Sequence, residues 1–88
     1  MENLKRIDQH EVVIVEEEWI ILNLVAYTVT TLNEVGSFCW TLLKNPVTRD
    51  DVLQKVAEEY HVETSRIEQD ITSFLNELEK HGLVERVN

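Results

Sequence analysis

The hydrophobic pattern of the chain changes period near residue 32. Before that point apolar residues run together or alternate, as in strands; after it they recur every three and four residues, as on helices. Val12, Val13, Ile14 and Val15 form a β-branched run that suits a strand. Glu16, Glu17 and Glu18 follow as an acidic turn, because three like charges are better solvated in a hairpin connection than in a ladder. Residues 19–24 put Trp19, Ile21 and Asn23 on one face and Ile20, Leu22 and Leu24 on the other. Both faces are mostly apolar, so this strand is expected in the middle of a sheet. Val25-Ala26 then offers a weak turn signal, without the Gly or Asn that tight hairpins favour. Residues 27–32, Tyr-Thr-Val-Thr-Thr-Leu, suit a third strand, and their hydroxyl-rich side chains suit a half-exposed one.

Asn33 stands at the seam, where a helix N-cap belongs. Behind it, residues 34–44 read as a helix with Glu34, Ser37, Thr41 and Lys44 on one stripe and apolar residues around the rest. A helix so apolar is buried on most sides. Gly36 is unfavourable inside a helix, so its role is to let another backbone or a large ring come close. Asn45-Pro46 ends this helix. Thr48 with Asp51 makes a capping box for a second helix, whose stripe is Val52, Leu53, Val56, Ala57 and Tyr60. After a connector over 61–64, Ser65 and Glu68 read as another capping box, and Ile67, Ile71, Phe74, Leu75 and Leu78 as the stripe of a third helix. Gly82 fits a left-handed C-cap, and Leu83-Val84 a short extended tail. Residues 1–11 are polar, with Leu4 and Ile7 as possible anchors, and are expected to be flexible.

The order β-β-β-α-α-α plus a tail predicts an α+β fold: a small winged-helix-like domain with a three-stranded antiparallel N-terminal sheet followed by three helices. The 88 residues suffice for one domain, and at 43% hydrophobic they are too apolar for disorder. The net charge of −9 argues against nucleic acid, which demands a basic face, and against anionic membrane surfaces. Cys39 has no partner for an internal disulfide and sits in the apolar helix, so it reads as a reduced core thiol. The opening residues lead into no signal-type apolar stretch, so the cytoplasm is the expected location.

Candidate chemistry is sparse. His10, His61 and His81 share no ligand spacing with Cys39, so neither a metal nor another cofactor is expected. No phosphate loop, nucleophile elbow or Cys–His pairing occurs, so no catalytic residue is assigned and the chain reads as a binding protein. The binding surface suggested by the pattern is the edge at residues 27–32. It carries no Lys, Pro or charge to blunt it. It is either used for adding a peptide strand or covered by the tail or a second copy. Proline at Thr28 and at Thr30 is expected to separate an outward-donating amide from an inward-donating one.

Leu32-Asn33-x-x-Gly36-x-x-x-Trp40, then Leu43, the Thr48-capped helix ending Glu59-Tyr60, and Asp70, Phe74-Leu75, Leu78 and Gly82-Leu83 together resemble PqqD-like peptide-recognition elements. The likeness spans residues 12–84 and is nearer to the stand-alone recognition proteins of lasso-peptide clusters than to PqqD itself. Many relatives carry Gly where this chain has Val25-Ala26. The resemblance implies that a precursor's leader peptide lies antiparallel along the third strand, against the third helix, and is delivered to a maturation enzyme such as a protease or cyclase. It nominates the strand Tyr27, Thr28, Val29, Thr30, Thr31 and Leu32, and on the helix Arg66, Asp70, Ser73, Phe74 and Glu77. Asp70 matches a recurrent Asp of the family; its plainer role is an ion pair with Arg66, and Glu77 has the same option with His81 or Lys80. Alternatives are recognition for a radical-type enzyme, a subunit that stabilises a larger enzyme, or a winged-helix transcriptional regulator. The last suits poorly a third helix carrying Glu68, Asp70, Glu77 and Glu79 against Arg66 and Lys80.

Overall fold

Two hairpins build the main sheet. The computed structural model describes residues 2–8 and 10–87; the expectation of flexibility for 1–11 thus falls in part, at Met1 and Gln9, outside the described residues. Strands β2 (Glu11–Val15), β3 (Glu18–Asn23) and β4 (Thr28–Leu32) form an antiparallel sheet in the order β2-β3-β4. Val15 pairs with Glu18, so the acidic turn is Glu16-Glu17 alone, with Glu16 in the left-handed region at φ 58°. The second hairpin closes at Asn23 opposite Thr28. Leu24 and Tyr27, read as strand residues, lie instead in its loop, and Tyr27 adopts φ 57°. The missing turn signal is Asn23. Its Oδ1 accepts the amides of Val25 at 3.1 Å and Ala26 at 3.0 Å, while its Nδ2 donates to the His81 carbonyl. An Asx-type turn thereby closes the hairpin without Gly.

The helices are α1 (Glu34–Leu42), α2 (Arg49–Tyr60) and α3 (Thr64–Lys80). Asn33 caps α1 by accepting the Gly36 amide at 2.8 Å. Thr48 and Asp51 form the reciprocal box at α2, with bonds of 3.0 and 3.1 Å. At α3 the expected Ser65 box is absent: Glu63 is the N-cap, without a side-chain cap bond, and Ser65 lies inside the first turn. α1 stops at Leu42, two residues earlier than its apolar pattern suggests, with Leu43 as C-cap. Gly82 takes φ 72° as expected.

The chain ends hold the largest departure from the pattern. Residues 3–6, with one apolar side chain, form a strand, β1 (Asn3–Arg6). It pairs antiparallel with β5 (Val84–Val87) as a separate two-stranded sheet. On its other side the Leu4 amide donates to the Val47 carbonyl at 2.6 Å and the Arg6 amide to the Leu43 carbonyl at 2.9 Å. Backbone bonding to distant segments therefore orders a stretch whose side chains carry little strand signal.

Ile21 and Leu32 of the sheet, Cys39, Trp40 and Leu43 around α1, Val52, Leu53 and Val56 of α2, and Ile71, Leu75 and Leu78 of α3 form the core with Leu83 and Val84. Burial pushes the Cys39 thiol up to about 11 from an ordinary 9.0. The contribution from keeping this thiol neutral is complete below pH 9 and is lost as pH rises toward 11. Cys39 should therefore resist a thiol-reactive dye in the native protein at pH 8 and react fully in denaturant; equal rates in both states would refute its burial.

Candidate peptide-binding edge and groove

β4 is an edge strand, and the tail is paired elsewhere, with β1. Along β4 burial alternates. Thr28, Thr30 and Leu32 face inward, Leu32 fully buried, while Val29 and Thr31 face out. Backbone amides alternate in the same way, so Thr28, Thr30 and Leu32 donate to one side and Val29 and Thr31 to the other. Thr28 and Thr30 are therefore equivalent, and proline cannot separate them; an adjacent pair, Val29 and Thr30, does.

The hydroxyls of Thr28 and Thr30 are shielded from solvent and have no hydrogen-bond partner among the described residues. An unsatisfied buried hydroxyl costs about 1–3 kcal/mol. Thr30→Val, nearly isosteric, should therefore raise the midpoint of urea unfolding, by roughly 1 kcal/mol in stability. A fall in stability would mean that the hydroxyl is already bonded in the free protein.

Beside the end of β4 runs a groove between α1, α2 and α3. Its volume is ≈ 410 Å³, and Asn33, Val35, Gly36, Val56, Tyr60, Val62, Ile67, Asp70, Ile71 and Phe74 line it. A second, more open hollow of ≈ 440 Å³ lies between Glu17, Glu18, Thr31, Leu32, Asn33, Glu34 and Phe74. Phe74 and Asn33 border both, so the two hollows adjoin between the strand and the helices. Gly36 explains how Phe74 sits there. A Cβ at residue 36 would come within 3.3 Å of the Phe74 ring, the close approach of a large ring that the helix glycine implied.

The groove wall is apolar apart from three polar residues, Asn33, Tyr60 and Asp70. Asp70 is exposed, and among the described residues no cation approaches its carboxylate within ion-pair distance, so the plainer pairing with Arg66 does not form. Desolvation, joined by the carboxylates of Glu34 and Glu59, pushes the Tyr60 phenol above its ordinary value. Tyr60 is held by an edge-to-face contact with Phe38, centroids 5.9 Å apart.

The nominated residues thus divide. Thr31, Leu32, Asp70 and Phe74 border the two hollows, and Thr28, Val29 and Thr30 continue the edge beyond them. Tyr27 stands in the loop, 92% exposed and outside the strand. Arg66 and Ser73 are exposed on α3 and do not line the groove. Glu77 approaches His81 at 3.6 Å near the far end of α3, its plainer role. The strand-and-helix pattern missed the contribution of α1 and α2: Asn33, Val35, Tyr60 and Val62. Tyr60 was legible as the last member of the α2 stripe, but its place in a groove depends on how three helices meet.

The family model of coenzyme PQQ synthesis protein D (PqqD) matches residues 18–84. The chain belongs to the PqqD family. Its fold is the winged-helix-like α+β arrangement expected from the pattern. A solved structure titled TbiB1 in complex with the TbiA(beta) leader peptide matches with a TM-score of 0.77 and 28% identity, over 92% of this chain and 94% of that one. No curated protein sequence matches the chain. The matched PqqD segment opens in β3 and runs to Val84, so it includes β4, all three helices and every residue of the groove.

Proposed function

We propose that this PqqD-family protein binds the leader segment of a ribosomally made precursor peptide as an added strand on β4 and presents the peptide to a maturation enzyme, a lasso-peptide protease or cyclase. The observation that carries the reading is the open β4 edge beside an apolar groove, with the chain's own tail paired to β1. Strand addition gives affinity through main-chain hydrogen bonds and specificity through pockets for alternate side chains. Here the main-chain partner is Thr28–Leu32 and the pockets are the two hollows bordered by Phe74. The TbiB1 complex supports it, since that protein, of like fold and length, was solved with a leader peptide. On this reading the chain has no catalytic role and works where the precursor is made, in the cytoplasm. No helix among the described residues is long and apolar enough to cross a membrane.

The test is titration of isotope-labelled protein with the synthetic leader of the precursor encoded beside it. Amide shifts should concentrate in β4 and at Gly36, Ile67, Asp70 and Phe74. Shifts confined to the exposed side of α2, at Asp50, Gln54, Lys55 and Glu58, would place the site elsewhere. Asp70→Lys should weaken binding roughly fivefold, the scale of one exposed charge contact, with an unchanged melt. The same affinity in both proteins would remove Asp70 from the site.

A further inference from the structure

All helices lie on one side of the main sheet, the side of Ile21 and Leu32. The register sets what the other side carries. Val13 lies opposite Ile20, Glu11 opposite Leu22 and Val15 opposite Glu18, while Ile20 and Leu22 lie opposite Thr31 and Val29. Directly opposed residues share a face. The outer face therefore presents Val13, Val15, Ile20, Leu22 and Val29 together. Val13, Val15 and Val29 are 42%, 51% and 66% exposed. A contiguous apolar patch of this kind on a soluble chain marks an interaction surface.

Its border is anionic. Glu11 and Glu18 stand on the face itself, and Glu16 and Glu17 form the turn at one end. The sequence holds no Lys or Arg anywhere from residue 7 to residue 43. A second copy of the chain stacked on this face would bring two sets of these four glutamates together, and like charges juxtaposed across an interface oppose association. The complementary surface is apolar and bordered by cations.

We propose that this outer face is a second interface, separate from the β4 edge, and that it takes a folded protein whose contact face is apolar and rimmed with Lys and Arg. Resting on the leader-binding reading above, that partner is the maturation enzyme. The arrangement has a mechanical consequence. A leader added to β4 extends the same sheet, so every second leader side chain joins the outer face beside Val29. An enzyme docked there touches the carrier and the bound peptide together.

The experiment measures binding of the purified protease or cyclase encoded beside this chain, by interferometry, to the wild type and to Val13→Lys, Val15→Lys and Glu11→Lys. All three positions are exposed, and melting curves confirm that each variant folds. Val13→Lys and Val15→Lys should each bind the enzyme roughly tenfold more weakly, as at a central interface contact, and Glu11→Lys roughly threefold more weakly, as at a charged rim. Wild-type binding should also weaken on going from about 0.1 M to about 1 M salt, because charge attraction across the rim is screened. Leader affinity should be the same in all four proteins. Enzyme affinity indifferent to all three substitutions, or no enzyme binding, overturns the proposal. So does a wild type that sediments as a dimer which Val13→Lys dissociates, since the occupant is then a second copy. Loss of leader binding in the wild type with enzyme binding intact would instead defeat the leader reading and leave the outer-face interface standing.

Discussion

Trp40→Ala should unfold the protein or leave it only marginally folded at room temperature. Trp40 is 3% exposed in the core on α1. The Arg6 guanidinium lies over its ring, 5.6 Å from the centroid, and Arg6 Nη1 donates to the Trp40 carbonyl at 3.3 Å. Truncating a buried tryptophan removes about 3–5 kcal/mol through lost transfer energy and the cavity left behind. A chain of this size has on the order of 4–13 kcal/mol in total. The substitution also strips β1 of the aromatic face on which Arg6 rests, so the β1–β5 pair should loosen with the core. Circular dichroism melts check this, with Trp40→Phe expected to fall between the alanine variant and the wild type. An alanine variant that melts normally but no longer binds leader would make Trp40 a contact residue and refute its place in the core.

The second large effect is on the β4 edge. Proline removes one backbone donor and is tolerated only where that donor faces away from the ladder. Val29 and Thr30 are adjacent, so one amide belongs to the ladder with β3 and the other to the open side. Proline at the ladder position should damage the sheet, with a stability loss of about 3 kcal/mol or more. Proline at the open position should leave the melt nearly unchanged and reduce leader affinity by roughly tenfold or more, through a lost main-chain bond and a ring that blocks strand approach. Paired measurements of unfolding midpoint and leader affinity distinguish the two. If both variants fold and both bind as the wild type does, the leader does not add to β4.

Much of the architecture was legible in local pattern. The β-branched run read as a strand, and the run at residues 19–24 as a central one because it offers apolar side chains to both faces. Asn33, Thr48 with Asp51, and Gly82 marked helix ends because capping is chemistry between residues two or three apart. Asn23 shows where that reading stopped short. A residue counted only as part of a strand face also holds the next loop and ties it to His81, 58 positions away.

For the proposed binding site, the lack of blunting residues along the third strand followed from composition, and Asp70 and Phe74 from the family likeness. The groove itself did not follow from either. It exists because Gly36 admits Phe74 while the ends of α1 and α2 bring Val35, Tyr60 and Val62 alongside. The sequence by itself determined the types of the three main-sheet strands and the three helices, the caps at Asn33, Thr48 and Gly82, the net negative charge and the unblunted strand at residues 28–32, since each is set by composition or by neighbours within a few positions. Only the tertiary structure decided that the tail pairs with β1 and that, among the described residues, β4 is left open and one face of the sheet has no cover. Both follow from contacts between the two ends of the chain and between separate layers, and no local periodicity encodes those.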